Sequence, residues 1–167
     1  MTQDFLPQLK DYILDCLELL EKSACVTNER DSILFKHNRI YHHNIVRFNY
    51  TTYDVRRDQD VINLKTPHCN IMLLKHHDDD HDGKFRYAKV LGIHHVNVVC
   101  AGNVYESRQL EFLYVWWYEP SASSADLLYP QCTLCRVHFV PLANQNAFDF
   151  IDPGVVLWSC HIIPAFS

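Results

Sequence analysis

The sequence predicts a mainly β domain of the α+β class, built on a bent antiparallel sheet or small barrel with an amphipathic helix at its N-terminal end. The chain has 167 residues, of which 48% are hydrophobic and 13% aromatic, enough for one sizeable core. Short segments rich in β-branched and aromatic residues follow one another between turn-like stretches. Little helical periodicity separates them, which favours an antiparallel sheet.

The helical signal lies in residues 4–22, where apolar side chains recur at spacings of three and four. These residues are Phe5, Leu6, Leu9, Tyr12, Ile13, Cys16, Leu17 and Leu20. Charged residues occupy the other side, so we expect a helix that packs on the rest of the protein or on a partner. Residues 23–38 are predicted to be a polar connector. We therefore expect residues 1–35 to form the helix and connector, and residues 36–167 the β-rich domain, as one compact unit.

Strand-like segments follow, separated by turn signals at 66–67, 76–84, 101–103 and 119–126. They are Ile40–Tyr50, Asn70–Lys75, Tyr87–Cys100, Glu111–Tyr118 and Arg136–Val140. Residues 148–154 are predicted to form a turn that leads into a short helix or strand over Val155–Ile163. Paired histidines at 42–43 and 94–95 fall in strand-like runs, where neighbours point to opposite faces, so we expect one of each pair in the core.

Charge and cysteine content indicate a soluble, intracellular protein. No apolar run approaches the roughly 20 residues that cross a bilayer, and the first residues lack a secretory signal, so no membrane partner is expected. Seven cysteines, an odd number, favour reduced thiols. The net charge of −5 argues against a protein that binds polyanions over its whole surface.

A local basic patch nevertheless lies in residues 36–66, which hold six basic and three acidic side chains, a net +3. Its candidate DNA-binding residues are Arg39, Arg47, Arg56, Arg57 and Lys65. The alternative is that these side chains are solvated or paired with the neighbouring Asp54, Asp58 and Asp60. Local DNA binding is kept as an alternative function.

Two segments contain residue types that bind metals. The run from His76 to Gly83 is rich in His and Asp, and Cys132 and Cys135 have the spacing of half a zinc site. A flexible loop explains the first, and the second lacks a similarly spaced partner pair, so His76, His77, His81, Cys132 and Cys135 are weak candidates. No metal or other cofactor is predicted. No catalytic motif is present in the sequence, and we expect a protein that is not an enzyme.

An aromatic run from Phe112 to Tyr118 points to a binding surface. As a strand, it places Leu113, Val115 and Trp117 on one face, which we predict to be the core. The other face holds Phe112 and three candidate ligand-binding residues, Tyr114, Trp116 and Tyr118. Such a surface can bind methylated ammonium groups through cation–π attraction. The alternative is that the helix at 4–22 covers this face.

Several blocks together resemble the C-terminal region of the KDZ/Plavaka-type transposon proteins of mushroom-forming fungi. They are Arg39–His43, Arg47–Asp60, Asn70–Leu74, Tyr87–Val98, Leu110–Tyr118 and Phe148–Phe166. The resemblance implies a stand-alone, non-catalytic tail module, because the transposase core of that family lies in a separate upstream region. It also implies a nuclear location, and it provides no catalytic residue.

A second similarity concerns architecture. The segments Tyr87–Ile93, Phe112–Tyr118 and Val156–Ile163 are similar in rhythm to bromo-adjacent-homology (BAH) domains, which are β-rich modules that bind histones or other proteins. It implies a BAH-like or SH3-like barrel core. We therefore predict a non-enzymatic module that binds protein or chromatin, with a protein or histone tail as partner. DNA binding, metal binding and self-association remain alternatives, and the oligomeric state stays open.

Overall fold

A computed structural model of the protein describes residues 5–20, 30–51, 57–75, 84–100, 107–121 and 136–164. Strands predominate in these ranges, which confirms the mainly β prediction. The helix α1 spans Phe5–Leu20, and the strands are β1 (Ile33–His43), β2 (Ile45–Thr51), β3 (Arg57–Asn63), β4 (Asn70–Leu74), β5 (Phe85–Cys100), β6 (Arg108–Pro120), β7 (Val137–Phe139), β8 (Phe148–Ile151) and β9 (Val156–Cys160).

The helix α1 confirms the apolar periodicity of the N-terminal segment. Leu9, Ile13 and Leu17, at spacings of four, are buried on one face. On the polar side, Asp11 binds the Arg30 guanidinium through two hydrogen bonds of 2.5 and 2.6 Å. Within the described ranges, α1 lacks the length and apolar character needed to cross a membrane.

Contacts along the chain divide it into two compact units. Unit 1 comprises residues 1–43 and 93–112, and unit 2 comprises residues 44–92 and 113–167. The strands β5 and β6 contribute residues to both. The main antiparallel sheet has the order β7–β6–β5–β4–β9, with β1 on β5 and β8 on β6, and β2 and β3 form a separate hairpin.

In unit 1, β1 pairs with the second half of β5, and the pairing is interrupted by a bulge. Phe35 lies opposite Val98 and Ile40 opposite Val96, so residues 36–39 loop out of the ladder. His37 and Asn38 have positive φ angles of 59° and 52°. The prediction of a connector over 23–38 is thus wrong for its last residues, because β1 begins at residue 33.

In unit 2, β4 lies between the first half of β5 and β9, with Asn70 opposite both Lys89 and Cys160. The side chains that form its core come from five strands and are almost completely buried. They are Ile62, Ile71, Leu73, Ala88, Val90, Leu113, Val115 and Val156. Burial of these apolar side chains provides the main stabilisation of the unit.

Three local predictions are corrected by the fold. The segment Ile40–Tyr50 is split at Asn44 into the ends of β1 and β2, and the predicted turn over 148–154 begins instead with the strand β8. Neither histidine of the first pair is buried, since His42 and His43 are both exposed, while those at 94 and 95 are both half-buried. Of the two possibilities for the C-terminal segment, the structure has the strand β9.

Candidate aromatic interface

The alternation along β6 separates a buried face from an aromatic face in unit 2. Leu113 and Val115 are completely buried and Trp117 is 5% exposed, which confirms the predicted core face. Tyr114 and Trp116 point to the other side and are half-buried, as is Tyr118. The strand thus places three ring systems in a row along one face.

Neighbouring strands extend this row, because their aromatic residues stand opposite those of β6. Tyr114 is opposite Phe150, Trp116 is opposite Phe148, and Tyr118 is opposite Phe139. Cross-strand pairs of this kind are a main source of sheet stability. We call the six residues the aromatic row: Tyr114, Trp116, Tyr118, Phe139, Phe148 and Phe150.

The rings of the aromatic row stack on one another. Trp116 lies 4.0 Å from Phe139 and 5.5 Å from Phe148, measured between ring centroids, with interplanar angles of 22° and 35°. Its indole Nε1–H donates a hydrogen bond of 2.9 Å to the Val140 carbonyl, which fixes the ring orientation. The six rings thus pack against one another in a continuous row of stacked and tilted pairs, rather than as the facing walls of a methylammonium cage.

Tyr118 ends the row with a polar contact. Its hydroxyl donates a hydrogen bond of 3.0 Å to Oδ1 of the buried Asn70. Burial, with smaller contributions from the neighbouring Cys69 and Cys160, raises the pKa of Tyr118 to about 12. The Tyr118 hydroxyl therefore stays protonated and acts as a hydrogen-bond donor.

The helix predicted to cover the aromatic face reaches one member of it. Tyr12 of α1 contacts Phe112, with ring centroids 6.3 Å apart, and Phe112 is completely buried in unit 1. For Tyr114, Trp116 and Tyr118, the strands β7 and β8 provide ring contacts. These three residues thus belong to a surface made by strands.

The opposite face of β6 carries a charged arrangement that the sequence did not indicate. The Arg86 guanidinium lies 3.9 Å from the centroid of the Trp117 ring, a cation–π contact. Burial raises the pKa of Asp149. The hydrogen bonds from the Phe150 backbone and the Trp117 side chain, and the positive charge of Arg86, lower the pKa but do not cancel this effect. Sequence reasoning missed these residues because they come from three strands that are distant in the chain.

The predicted basic patch is distributed over the two units. Arg39 is exposed in unit 1, whereas Arg47 and Lys65 are exposed in unit 2. Arg57 stands opposite Thr51 at the end of the β2–β3 hairpin, and Arg56 lies outside the described residues. The neighbouring Asp58 and Asp60 accept hydrogen bonds from Gln59 and Ser159, respectively.

The weak metal candidates cannot be placed, since His76, His77, His81, Cys132 and Cys135 lie outside the described residues. In the part of the chain that the structure describes, no group of three or more His, Cys, Asp or Glu side chains is arranged to hold a metal ion.

Comparisons with protein-family models, with curated proteins and with solved structures find no match to this chain. The geometry of the described residues is therefore the basis for assigning a function. Among these, the aromatic row brings together all three of the predicted ligand-binding side chains.

Proposed function

We propose that this chain is a non-enzymatic interaction module whose aromatic row binds a segment of another protein, with a histone tail on a nucleosome as the favoured ligand. One observation carries the proposal: β6, β7 and β8 bring six aromatic side chains into contact on one sheet face, where Phe150 is buried and the other five are half-buried. Aromatic side chains that retain exposed area are frequent anchors of protein interfaces.

The chemistry of the row suits a basic, extended peptide. The aromatic rings supply π-electron density, which attracts guanidinium and ammonium groups through the ring quadrupole. The chain has a net charge of −5, which favours the approach of a positively charged segment. The resemblance to transposon-protein tails and to BAH domains supports a chromatin ligand, a BAH-like barrel architecture and a nuclear location.

A binding role also fits the ionisation of the row. With its pKa raised to about 12, the Tyr118 hydroxyl does not act as a base at neutral pH and instead donates a hydrogen bond to Asn70. The Trp116 N–H is similarly engaged with the Val140 carbonyl. The polar atoms of the row are therefore engaged within the fold, and its half-buried rings leave apolar area for a ligand.

The test is a pull-down of the purified, tag-free chain with reconstituted nucleosomes and with matched free DNA. We expect nucleosome binding that exceeds DNA binding and that is lost in Trp116→Ala. The matched control is Trp158→Ala, because Trp158 is another tryptophan of unit 2 and is 46% exposed outside the aromatic row. Circular dichroism of each variant distinguishes lost binding from lost fold, and Tyr114→Leu is the second variant.

The outcomes separate the proposals. If both Trp116→Ala and Tyr114→Leu still bind nucleosomes, the role of the aromatic row is contradicted. If the chain binds neither nucleosomes nor DNA, the chromatin proposal is contradicted and self-association is the better interpretation. Equal binding to nucleosomes and to free DNA would indicate that the basic patch, rather than the aromatic row, is the binding surface.

DNA binding is the second candidate function because Arg47 and Lys65 are exposed in the same unit. An affinity that decreases steeply with salt and falls in Arg47→Glu supports this function, whereas an affinity independent of salt contradicts it.

A further inference from the structure

Four histidines face one another across the β1–β5 pair of unit 1. His42 and His43 lie near the end of β1, and His94 and His95 lie in β5. His42 is directly opposite His94, while His95 is opposite Tyr41. We call these four residues the histidine ladder. It lies outside unit 2 and so is independent of the proposed aromatic interface.

Two members of the histidine ladder share a hydrogen bond. His43 Nε2 and His95 Nδ1 are 2.6 Å apart, so one nitrogen carries the proton and the other accepts it. The His95 ring is stacked between Tyr41, at 4.5 Å, and His43, at 4.9 Å.

His94 resists protonation for a different reason. Its ring packs on Phe112 of β6 at 5.3 Å, on Phe5 of α1 at 6.3 Å and on His42 of β1 at 4.9 Å. Its Nδ1 atom is buried and has no hydrogen-bond partner in the described part of the chain. A proton added there would lack an acceptor, which is costly for a buried group.

The surroundings of His94 also disfavour a positive charge. Its pKa is lowered to about 4, mainly by burial and also by the nearby His42 and His43, although a hydrogen bond with the Tyr41 backbone acts in the opposite direction. The contacting side chains of α1 and β6 are the uncharged Phe5 and Phe112, so they do not compensate.

We propose that the histidine ladder is an acid-sensitive switch that separates β1 from β5 when His94 becomes protonated. Once the strands separate, His94 regains water and its ordinary affinity for protons. The open state then binds more protons than the closed state, so opening becomes more favourable as pH falls. For His94 the sensitive interval extends from the ordinary value of 6.5 down to about 4.

The test is amide hydrogen exchange of the full chain between pH 7.5 and pH 4.5, corrected for the intrinsic pH dependence of exchange. We expect the opening equilibrium of the segments at 40–43 and 93–99 to rise by about tenfold or more, the change that one unit of pKa displacement produces. The three tryptophans, Trp116, Trp117 and Trp158, all belong to unit 2, so their fluorescence reports that unit separately.

Two variants make the test specific. His94→Phe keeps a packed ring but cannot titrate, and we expect it to reduce the acid response. The matched control His68→Gln removes an exposed histidine of unit 2 and should leave the response unchanged. An opening equilibrium independent of pH, or an undiminished acid response in a folded His94→Phe variant, overturns the proposal.

If His94→Phe does not fold, an NMR titration of the imidazole resonances of the unmodified chain tests the proposed switch instead. A His94 resonance that titrates below pH 5 while the strands are paired supports the switch. Titration near pH 6.5 without loss of pairing overturns it.

Discussion

The carboxylate of Asp60 binds two groups of Ser159. Its Oδ2 accepts a hydrogen bond of 2.5 Å from the Ser159 backbone N–H, and its Oδ1 accepts one of 2.7 Å from the Ser159 hydroxyl. Asp60 lies on β3 and Ser159 on β9, the last strand of the main sheet order. A side chain of the hairpin therefore satisfies a backbone donor on a sheet edge, where unpaired groups otherwise invite association.

Removing this carboxylate should destabilise unit 2. We expect Asp60→Ala to lower the free energy of unfolding by ~1–3 kcal/mol, because the half-buried Ser159 loses both hydrogen-bond acceptors. Urea unfolding followed by tryptophan fluorescence measures the loss. Asp58→Ala is the matched control, since the exposed Asp58 accepts a local bond from the Gln59 N–H. Equal effects of the two variants would contradict the importance of the Asp60 contact.

Cys160 should be a slowly reacting thiol. Burial raises the pKa of the Cys160 thiol to about 11 from its ordinary value of 9.0, and the charge of Asp60 acts in the same direction. The thiolate fraction at pH 8 is therefore about a hundredfold lower than for a free cysteine, and iodoacetamide alkylation should be slower by about ten- to a hundredfold, because a more basic thiolate is also more nucleophilic. Mass spectrometry of Cys160-containing peptides measures the rate.

The same experiment on Asp60→Asn tests the electrostatic contribution. Neutralising Asp60 should lower the pKa of Cys160 and increase the alkylation rate, whereas Asp58→Asn should not. A rate for the unmodified chain close to that in urea would show that the thiol is neither buried nor electrostatically suppressed.

Trp116 should contribute to stability through both stacking and its N–H. Trp116→Phe preserves a ring beside Phe139 but loses the hydrogen bond to Val140, so we expect a loss of about 1 kcal/mol. Trp116→Ala also removes the stacked area, and its loss should be ~2–4 kcal/mol. Chemical unfolding followed by circular dichroism measures both, and an Ala variant as stable as the Phe variant would show that stacking contributes little.

The cation–π contact of Arg86 should also be measurable. Arg86→Met keeps an apolar stem near the Trp117 ring but removes the charge 3.9 Å from its centroid, and we expect a loss of ~0.5–2 kcal/mol together with a change in tryptophan emission. Lys84→Met is a suitable control because Lys84 is an exposed cation just before the same strand. A similar effect of both substitutions would indicate a general charge effect.

Glycine should stabilise the bulge in β1. His37 and Asn38 occupy the left-handed region, which is unfavourable for residues with a Cβ atom. We expect His37→Gly to stabilise the chain by about 0.5–1 kcal/mol, and Lys36→Gly, at a position of the bulge without a positive φ, to be neutral or destabilising. Thermal unfolding of the two variants gives the comparison, and a destabilising His37→Gly would contradict the expected relief of strain.

The sequence predicts those parts of the fold in which periodicity is uninterrupted. The spacing of Leu9, Ile13 and Leu17 predicts α1, and the alternation in β6 predicts both the buried Leu113 and the half-buried Trp116. In these elements, each residue's environment follows from its position along a regular backbone.

Prediction from sequence is limited where pairing decides the structure. The strand β3 carries Asp58, Gln59 and Asp60 in succession, and its strand structure depends on pairing with β2. Half of the aromatic row was missed for a related reason, because Phe139 and Phe148 join Trp116 through strand register rather than through local spacing. The Asp60–Ser159 contact joins residues 99 positions apart, which no local pattern reports.

The looped-out residues 36–39 also determine where the length of this chain can change. Phe35 and Ile40 are five positions apart, yet their partners Val98 and Val96 are both buried on the same side of β5. Because of the bulge, the pairing of β1 with β5 before residue 36 does not depend on how many residues precede Ile40. Insertions or deletions between Phe35 and Ile40 alter the size of the protrusion while both flanking pairs keep their register, so relatives of this protein should differ in length here more readily than elsewhere in β1.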